Sequence, residues 1–66
     1  MILKAIKGYS TDENVVFLTG DIVRVIEMEE GMVYMEGITG WSKGIELSFS
    51  PKIVAEYFKF YSREQD

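Results

Sequence analysis

Apolar and polar residues alternate in short runs along the first two thirds of the chain, and glycines separate the runs. In the clearest run, residues 21–28, Val23 and Val25 share one face while Ile22 and Arg24 share the other. A period of two is typical of β-strands, because successive side chains point to opposite faces. The six glycines recur at strand-length intervals, so the pattern predicts a meander of short antiparallel strands.

Four more strands are predicted around this one. They are expected at residues 2–7, 15–18 and 32–36, with a short fifth strand at Trp41. Residues 8–14 are a polar loop whose Ser, Asp and Asn side chains favour turns. Several strands are apolar on both faces, as in a small sheet that curls and closes its edges. The expected fold class is therefore mainly β, an SH3-like five-stranded small barrel over about residues 1–47.

The period changes at Ser50. Ser50 is a favourable N-cap, and Pro51 suits the first helical position, where its missing N–H costs nothing. One face of the following segment carries Ile53, Val54, Tyr57, Phe58, Phe60 and Tyr61, and the other carries Lys52, Glu56, Lys59 and Arg63. This pattern predicts an amphipathic C-terminal helix over about residues 50–63. A strand is the disfavoured alternative, because it would place charge on both faces.

The composition excludes several kinds of site. The chain has 66 residues, enough for one domain with a thin core, and contains no Cys and no His. Thiol nucleophiles, disulfides, zinc sites and histidine proton transfer are therefore excluded. We expect a protein that is not an enzyme and that binds no cofactor or metal.

Charge and hydropathy narrow the expected partners. Eleven acidic residues against seven basic ones give a net charge of −4. This charge disfavours binding to nucleic acid and favours binding to a basic partner. No run approaches the roughly 20 apolar residues of a membrane span, and the first residues lack the apolar core of a signal peptide. The expectation is a cytoplasmic protein with no membrane partner.

Three stretches resemble the Src-homology-3 family. "AIKGY", residues 5–9, stands where that family has an Ala-Leu-Tyr-Asp-Tyr strand, and "ENVVFLTGDIVRVIE", residues 13–27, matches its Glu-Leu-Ser-Phe and Gly-Asp segment. "GMVYMEGITGW", residues 31–41, matches the third and fourth strands around a distal hairpin. The resemblance implies a diverging turn at Gly20 and Asp21. It also implies these core positions: Phe17, Val23 and Val25.

The residues that form the ligand groove of that family are mostly replaced here. The family binds proline-rich peptides between aromatic side chains, and of these only Tyr9 carries over. Lys7 stands for the first tyrosine, Met32 for the tryptophan of the third strand, and "SKGIEL" for the Pro and Tyr before the last strand. The resemblance thus implies a binding module of this fold with a different ligand.

Two weaker likenesses concern layout and character. A five-stranded barrel followed by a helix is similar to the seven-kilodalton chromatin proteins of archaea, which bind DNA through a basic sheet face. Here the basic residues of the strands are interspersed with acids, whereas counterion release needs clustered Lys and Arg. Small size, acidity and lack of Cys resemble the small barrel proteins of bacteriophages and prophages, many of which bind a host protein.

An acidic run lies at a predicted hairpin. "EMEE" supplies Glu27, Glu29 and Glu30, and Glu36 follows on the next strand. Such a hairpin is either a solvated loop, the favoured interpretation, or a surface that meets a basic partner or imitates DNA phosphates. The Asp, Asn and Gly spacing of a calcium loop is absent, so no metal is expected there.

Two aromatic features have a core and a binding interpretation. Trp41, the single Trp, is expected to plug the barrel beneath the helix; if exposed, it would anchor an interface. The rings of the predicted helix are expected to form one core stripe. In the alternative, Phe58 or Phe60 protrudes with Tyr61 and makes a partner surface or a homo-oligomer through the helix.

The sequence favours a non-enzymatic protein-binding module. It is expected to act through one of two surfaces. The first is formed by Tyr9, Tyr34, Trp41 and the acidic hairpin with Glu27, Glu29, Glu30 and Glu36, and the second by the aromatic helix with Phe58 and Tyr61. The alternative is a nucleic-acid-related protein, either a DNA-binding small barrel or an acidic DNA mimic that inhibits a DNA-binding enzyme.

Overall fold

The computed structural model describes residues 1–61. Its strands are β1 (Ile2–Ala5), β2 (Tyr9–Ser10), β3 (Val15–Phe17), β4 (Ile22–Glu29), β5 (Met32–Gly37), β6 (Glu46–Phe49) and β7 (Phe58–Phe60). A 3₁₀ helix covers Gly40–Ser42, and the α-helix α1 covers Pro51–Tyr57. The prediction of a mainly β chain with antiparallel sheets and one helix is confirmed at this level.

One sheet contains five strands in the order β6-β5-β4-β1-β7. All four pairings are antiparallel, and β1 lies between β4 and β7, so that Leu3 is opposite both Val23 and Phe60. The strands β2 and β3 form a separate hairpin. Strand β1 therefore pairs with β4 on one side and with β7, the last described strand, on the other.

The β4–β5 hairpin is the longest pairing and turns at Gly31. Gly31 has a φ of +79°, a left-handed conformation that glycine adopts without a Cβ clash. The register shifts between Val25 and Glu27, which places Ile26 at a β-bulge with an exposed side chain. Beyond the bulge Met28 is opposite Val33, so Met28 lies on the core side of the hairpin.

The core lies on one face of the five-stranded sheet, beneath the β2–β3 hairpin and α1. Its buried apolar side chains are Leu3, Ala5, Phe17, Val23, Val33, Met35 and Phe58. The Phe17 ring is 4.7 Å from the Phe58 ring, measured between centroids. The expected core positions Phe17 and Val23 are buried, and Val25 is half-buried against them.

The turn at Gly20 and Asp21 joins the hairpin to β4. An Asp21 carboxylate oxygen accepts a 2.9 Å hydrogen bond from the Leu18 main-chain N–H, while the Asp21 N–H donates to the Leu18 carbonyl oxygen at 3.0 Å. Gly20 has a φ of +96°, and its N–H donates to the Ala5 carbonyl oxygen at 2.8 Å. The turn is therefore closed locally and tied to the end of β1.

The C-terminal helix begins as predicted but ends earlier. The Ser50 hydroxyl oxygen accepts from the Ile53 N–H at 3.3 Å, and Pro51 is in the first turn. The prediction of a helix to residue 63 is wrong, because residues after Tyr57 pair as β7 with the edge of β1. Sheet pairing supplies the main-chain hydrogen bonds that a longer helix would have formed. Ser62 and Arg63 lie outside the described residues.

The prediction of a strand at Trp41 is also wrong. Trp41 lies in the 3₁₀ helix of the loop between β5 and β6, and the strand begins five residues later at Glu46. Gly40 and Gly44, on either side of Trp41, have φ of +80° and +78°. Such conformations interrupt a strand, because they lie outside the β region. No helix within residues 1–61 combines the length and apolarity needed to cross a membrane.

Candidate interaction surfaces

The outer face of the β4–β6 strands gathers acidic side chains. Tyr34 is opposite Glu27 on one side and Ser48 on the other, and Glu36 is opposite both Arg24 and Glu46. These positions alternate with the buried residues of β5, so they project away from the core. We call this surface the acidic face and define it by five residues: Glu27, Glu29, Tyr34, Glu36 and Glu46.

One carboxylate of the acidic face has a basic neighbour. An Arg24 guanidinium nitrogen lies 2.5 Å from a Glu36 carboxylate oxygen, and both side chains are more than one third exposed. An exposed ion pair of this kind contributes about 0–1 kcal/mol to stability. Within residues 1–61, Glu27, Glu29 and Glu46 form no such ion pair. The negative charge of the face is therefore mostly uncompensated.

Glu27 and Glu29 interact directly with each other. A side-chain hydrogen bond from Glu29 to Glu27 raises the pKa of Glu29, and the negative charge of Glu27 adds to this effect, with a smaller contribution from burial. Two neighbouring carboxylates on the same side of a strand repel each other, and a proton or a cation between them relieves this repulsion. The two carboxylates are therefore neighbours on the outer face of β4.

The acidic residues of the hairpin do not all share one face. Glu30 lies in the turn between β4 and β5 and is exposed. Glu27, Glu29, Tyr34 and Glu36 project from the outer face. The structure therefore brings together four of the nine candidate contact residues and places a fifth at the adjacent turn.

Tyr9 lies elsewhere. Its ring stacks on Phe17 at a centroid distance of 5.6 Å and meets the edges of Phe49 and Tyr57 at 5.4 and 5.3 Å. Tyr9 is half-buried in this cluster on the core side. The sequence interpretation that groups Tyr9 with Tyr34 on one surface is not supported, because the two rings lie on opposite sides of the sheet.

Trp41 is an exposed side chain. It is 69% exposed, so the favoured interpretation of Trp41 as a core plug is wrong. The side chain lies in solvent, as the alternative interpretation requires. The next residue, Ser42, is buried. Its hydroxyl donates a hydrogen bond to the Val16 carbonyl oxygen at 2.6 Å. The 3₁₀ helix is thus fastened to β3 while the indole faces solvent.

The aromatic residues near the C-terminus separate into buried and exposed members. Phe58 is 5% exposed and Phe60 is 75% exposed, so the expectation that all the rings form one core stripe is wrong for Phe60. Of the two rings named in the alternative, Phe60 protrudes and Phe58 does not. Both rings project to the same side of β7, but Phe58 is opposite buried Ala5 and packs on Phe17, whereas Phe60, opposite Leu3, lies mostly in solvent. Tyr61 is half-buried, with the Lys4 ammonium 5.4 Å from its ring centre.

An apolar groove of about 260 Å³ opens on the core side beside β7. Its lining includes Met1, Val25, Met28, Val54, Phe58 and Phe60. The sequence pattern does not indicate this groove, because the groove is built from three segments that are far apart in the chain. Its one sequence signal is Met28, an apolar residue among the acids of "EMEE", where a solvated hairpin needs no apolar side chain.

The described residues contain no group of three or more His, Cys, Asp or Glu that could hold a metal ion. All buried side-chain nitrogen and oxygen atoms in this part of the chain have hydrogen-bond partners. Comparisons with protein-family models, with curated proteins and with solved structures give no match to this chain.

Proposed function

We propose that this protein is a non-enzymatic protein-binding module with an SH3-like small barrel, and that its acidic face binds a basic partner. The observation that carries the proposal is the cluster of uncompensated carboxylates around Tyr34, on one side of the longest hairpin. Rigid strands hold these groups, so a partner meets them without first ordering a loop.

The strand order supports the barrel assignment. Strands β4, β5 and β6 follow one another as an antiparallel meander, β1 pairs with the other side of β4, and the last described strand returns to pair with β1. In the proposed barrel the sheet curls so that its two edge strands, β6 and β7, approach each other, which would protect these edges. The resemblance to Src-homology-3 domains extends to the turn at Gly20 and Asp21, where side-chain and main-chain bonds close the chain.

The chemistry of the acidic face selects the class of partner. Carboxylates attract Lys and Arg over a distance of about 8 Å at physiological salt, which accelerates encounter and orients the partner. Tyr34 adds a flat amphipathic ring at the centre of the charges, a residue type enriched at interfaces. A basic protein segment satisfies both features.

The proposal is tested by affinity capture with tagged protein from lysate at several salt concentrations. The expected result is one discrete partner that is retained by the wild-type chain and lost with the double variant Glu27→Lys/Glu29→Lys. The matched control is Asp12→Lys/Glu13→Lys, which makes the same charge change in the exposed loop between β2 and β3. Equal retention by both variants, or no partner at any salt concentration, would overturn the proposal.

The second candidate function is that of an acidic DNA mimic. It is favoured by Glu27 and Glu29 on β4, Glu36 on β5 and Glu46 on β6, because they spread carboxylates across three strands as phosphates are spread along a duplex. A mimic binds a DNA-binding protein and is displaced by DNA. In the same capture experiment, added duplex DNA should release the partner of a mimic. A partner whose retention is unchanged by the duplex supports the binding module instead.

A further inference from the structure

Strand β6 ends the five-stranded sheet on one side and, in the part of the chain that the structure describes, pairs only with β5. The Gly37 N–H donates to the Ile45 carbonyl oxygen at 3.1 Å, and β6 continues in this register. Bonding directions alternate along an antiparallel strand, so Leu47 bonds to β5 while Glu46 and Ser48 turn their N–H and C=O groups outwards. We call this row of outward main-chain groups the β6 edge.

The side chains on the two faces of β6 differ in character. Leu47 and Phe49 are half-buried against the core, whereas Glu46 and Ser48 are exposed on the outer face. A further strand at the β6 edge would alternate in the same way, because directly opposite residues of paired strands share a face. Its apolar side chains would cover the accessible parts of Leu47 and Phe49, and its other side chains would join the acidic face.

The acidic face reaches the β6 edge through Glu46. Glu46 is opposite Glu36 on β5. The Glu36 carboxylate is paired with Arg24, whereas Glu46 forms no ion pair within residues 1–61. A Lys or Arg directly opposite Glu46 on an added strand would lie at cross-strand contact distance, where opposite charges stabilise the pairing. The charge at this edge therefore favours a basic segment.

Ser48 leaves room for a second basic side chain. It lies between the β6 edge and Tyr34, and Tyr34 is in turn opposite Glu27. Because serine is short, a long Lys or Arg side chain opposite Ser48 can extend across it towards the Tyr34 ring and the Glu27 carboxylate. A cation over a tyrosine ring is attracted by the ring electrons. The edge and the acidic face thus suit one partner, an extended segment that is basic on one face and apolar on the other.

The other edge of the sheet does not suit such a segment. Lys59 is at the centre of β7 and lies opposite Lys4, so a basic strand would meet like charges there, which destabilise pairing. The Tyr61 N–H donates to the Ile2 carbonyl oxygen at 3.0 Å, so the Phe60 N–H is directed to the outer edge of β7. This N–H is an internal control for the test below.

We propose that the β6 edge binds an extended segment of a partner protein as an added antiparallel strand, with Lys or Arg side chains over the acidic face and apolar side chains beside Leu47. The inference rests on the proposed protein-binding function and specifies the conformation and the side-chain pattern of the basic partner. Main-chain hydrogen bonds attach the segment, and the alternating side chains select it.

The probe for the test is a blocked synthetic peptide of about six residues in which Val and Lys alternate. It is titrated into the full chain while amide hydrogen exchange of the protein is followed by NMR. The Glu46 and Ser48 N–H groups point away from β5, so they should exchange rapidly in the free chain and become protected when a strand is added. Exchange of the Phe60 N–H should not change.

Matched peptides separate main-chain pairing from attraction between charges. In the second peptide the main-chain nitrogens of the Lys residues are methylated, which keeps every side chain and charge but removes the donors that face Glu46 and Ser48. It should bind at least about tenfold more weakly. A third peptide with Glu in place of Lys should also bind about tenfold more weakly, because the acidic face repels it.

A pair of proline variants tests the same edge from the side of the protein. Ser48→Pro removes one outward N–H and leaves the hydrogen bonds to β5 in place, a position at which edge strands tolerate proline. It should weaken binding of the Val-Lys peptide at least about tenfold. Phe60→Pro makes the same change at the outer edge of β7 and should leave the affinity unchanged. Circular dichroism checks the folding of both variants, and the methylated peptide tests the edge with the wild-type chain.

Protection of Glu46 and Ser48 by the first peptide but not by the methylated one supports the inference. Equal affinity of these two peptides, protection of Phe60 in place of Ser48, or no saturable binding overturns it. Protection that depends on protein concentration without peptide identifies a second copy as the added strand and also overturns it. If the captured natural partner still requires Glu27 and Glu29 in these cases, the proposed function stands and only strand addition fails.

Discussion

The Ser42 hydroxyl donates a 2.6 Å hydrogen bond to the Val16 carbonyl oxygen and fastens the 3₁₀ helix to β3. Ser42 is 7% exposed and Val16 is half-buried, so removal of the hydroxyl leaves the Val16 carbonyl oxygen without this donor in a partly buried place. We expect Ser42→Ala to lower the free energy of unfolding by about 1–3 kcal/mol. Ser48→Ala, at an exposed position of β6, should change it by less than about 0.5 kcal/mol. Urea denaturation measures both, and equal effects would contradict the role assigned to this bond.

Gly37 packs against the main chain of the same 3₁₀ helix. A Cβ at this position would lie 2.1 Å from the Ser42 carbonyl oxygen and 2.5 Å from its carbonyl carbon. Since these are backbone atoms, Gly37→Ala must displace the loop, and we expect a loss of about 1–3 kcal/mol or more in unfolding free energy. Gly8→Ala is the control, because its Cβ would meet its nearest atom at 3.6 Å. Thermal denaturation should show a clear drop in Tm for the first variant alone.

The strand β7 is tested by its two phenylalanines. Phe58 is buried against Phe17, so Phe58→Ala should cost about 3–5 kcal/mol, whereas Phe60→Ala should cost less than about 1 kcal/mol. Both rings project to the same side of β7, but only Phe58 packs on the core. Denaturation curves that place the two variants together would contradict this placement of the two rings.

The acidic pair gives a prediction about pH. The pKa of Glu29 is raised by the hydrogen bond and the charge of Glu27, so the folded chain holds this proton more tightly than the unfolded chain. This contribution favours folding at pH below the unfolded pKa and is lost as the pH rises through the raised folded pKa. Carboxyl chemical shifts followed by NMR should show that Glu27→Gln lowers the pKa of Glu29. Glu30→Gln should leave the pKa of Glu29 unchanged. If Glu30→Gln lowered this pKa by a similar amount, the raised pKa would be due to the overall charge and not to Glu27.

Much of the strand pattern could be predicted from the sequence, because alternation reports one buried face. The run around Val23 and the turn at Gly20 depend on local alternation and turn chemistry, and both occur as expected. The end of α1 could not be predicted in this way. The sequence "FKF" carries three residues of alternation, too few to be separated from a helical period without knowing that β1 offers an unpaired edge.

The candidate site was predictable only in part. The acids of the hairpin could be grouped because they are close in sequence. The placement of Tyr9 and Trp41 depends on tertiary packing, which buries one ring among other rings and leaves the other in solvent. The groove depends on the meeting of Met1, Met28 and Phe60, which no local pattern indicates.

The position of β1 between β4 and β7 has a consequence for synthesis of the chain. Leu3 is synthesised well before its partner Phe60, which belongs to the last described strand. At about 5–20 residues per second, the nascent chain spends a few seconds with this edge of β1 unpaired. During that interval β1 is open to pairing with other nascent chains, so a chaperone or rapid translation of the last third should raise the yield of folded protein.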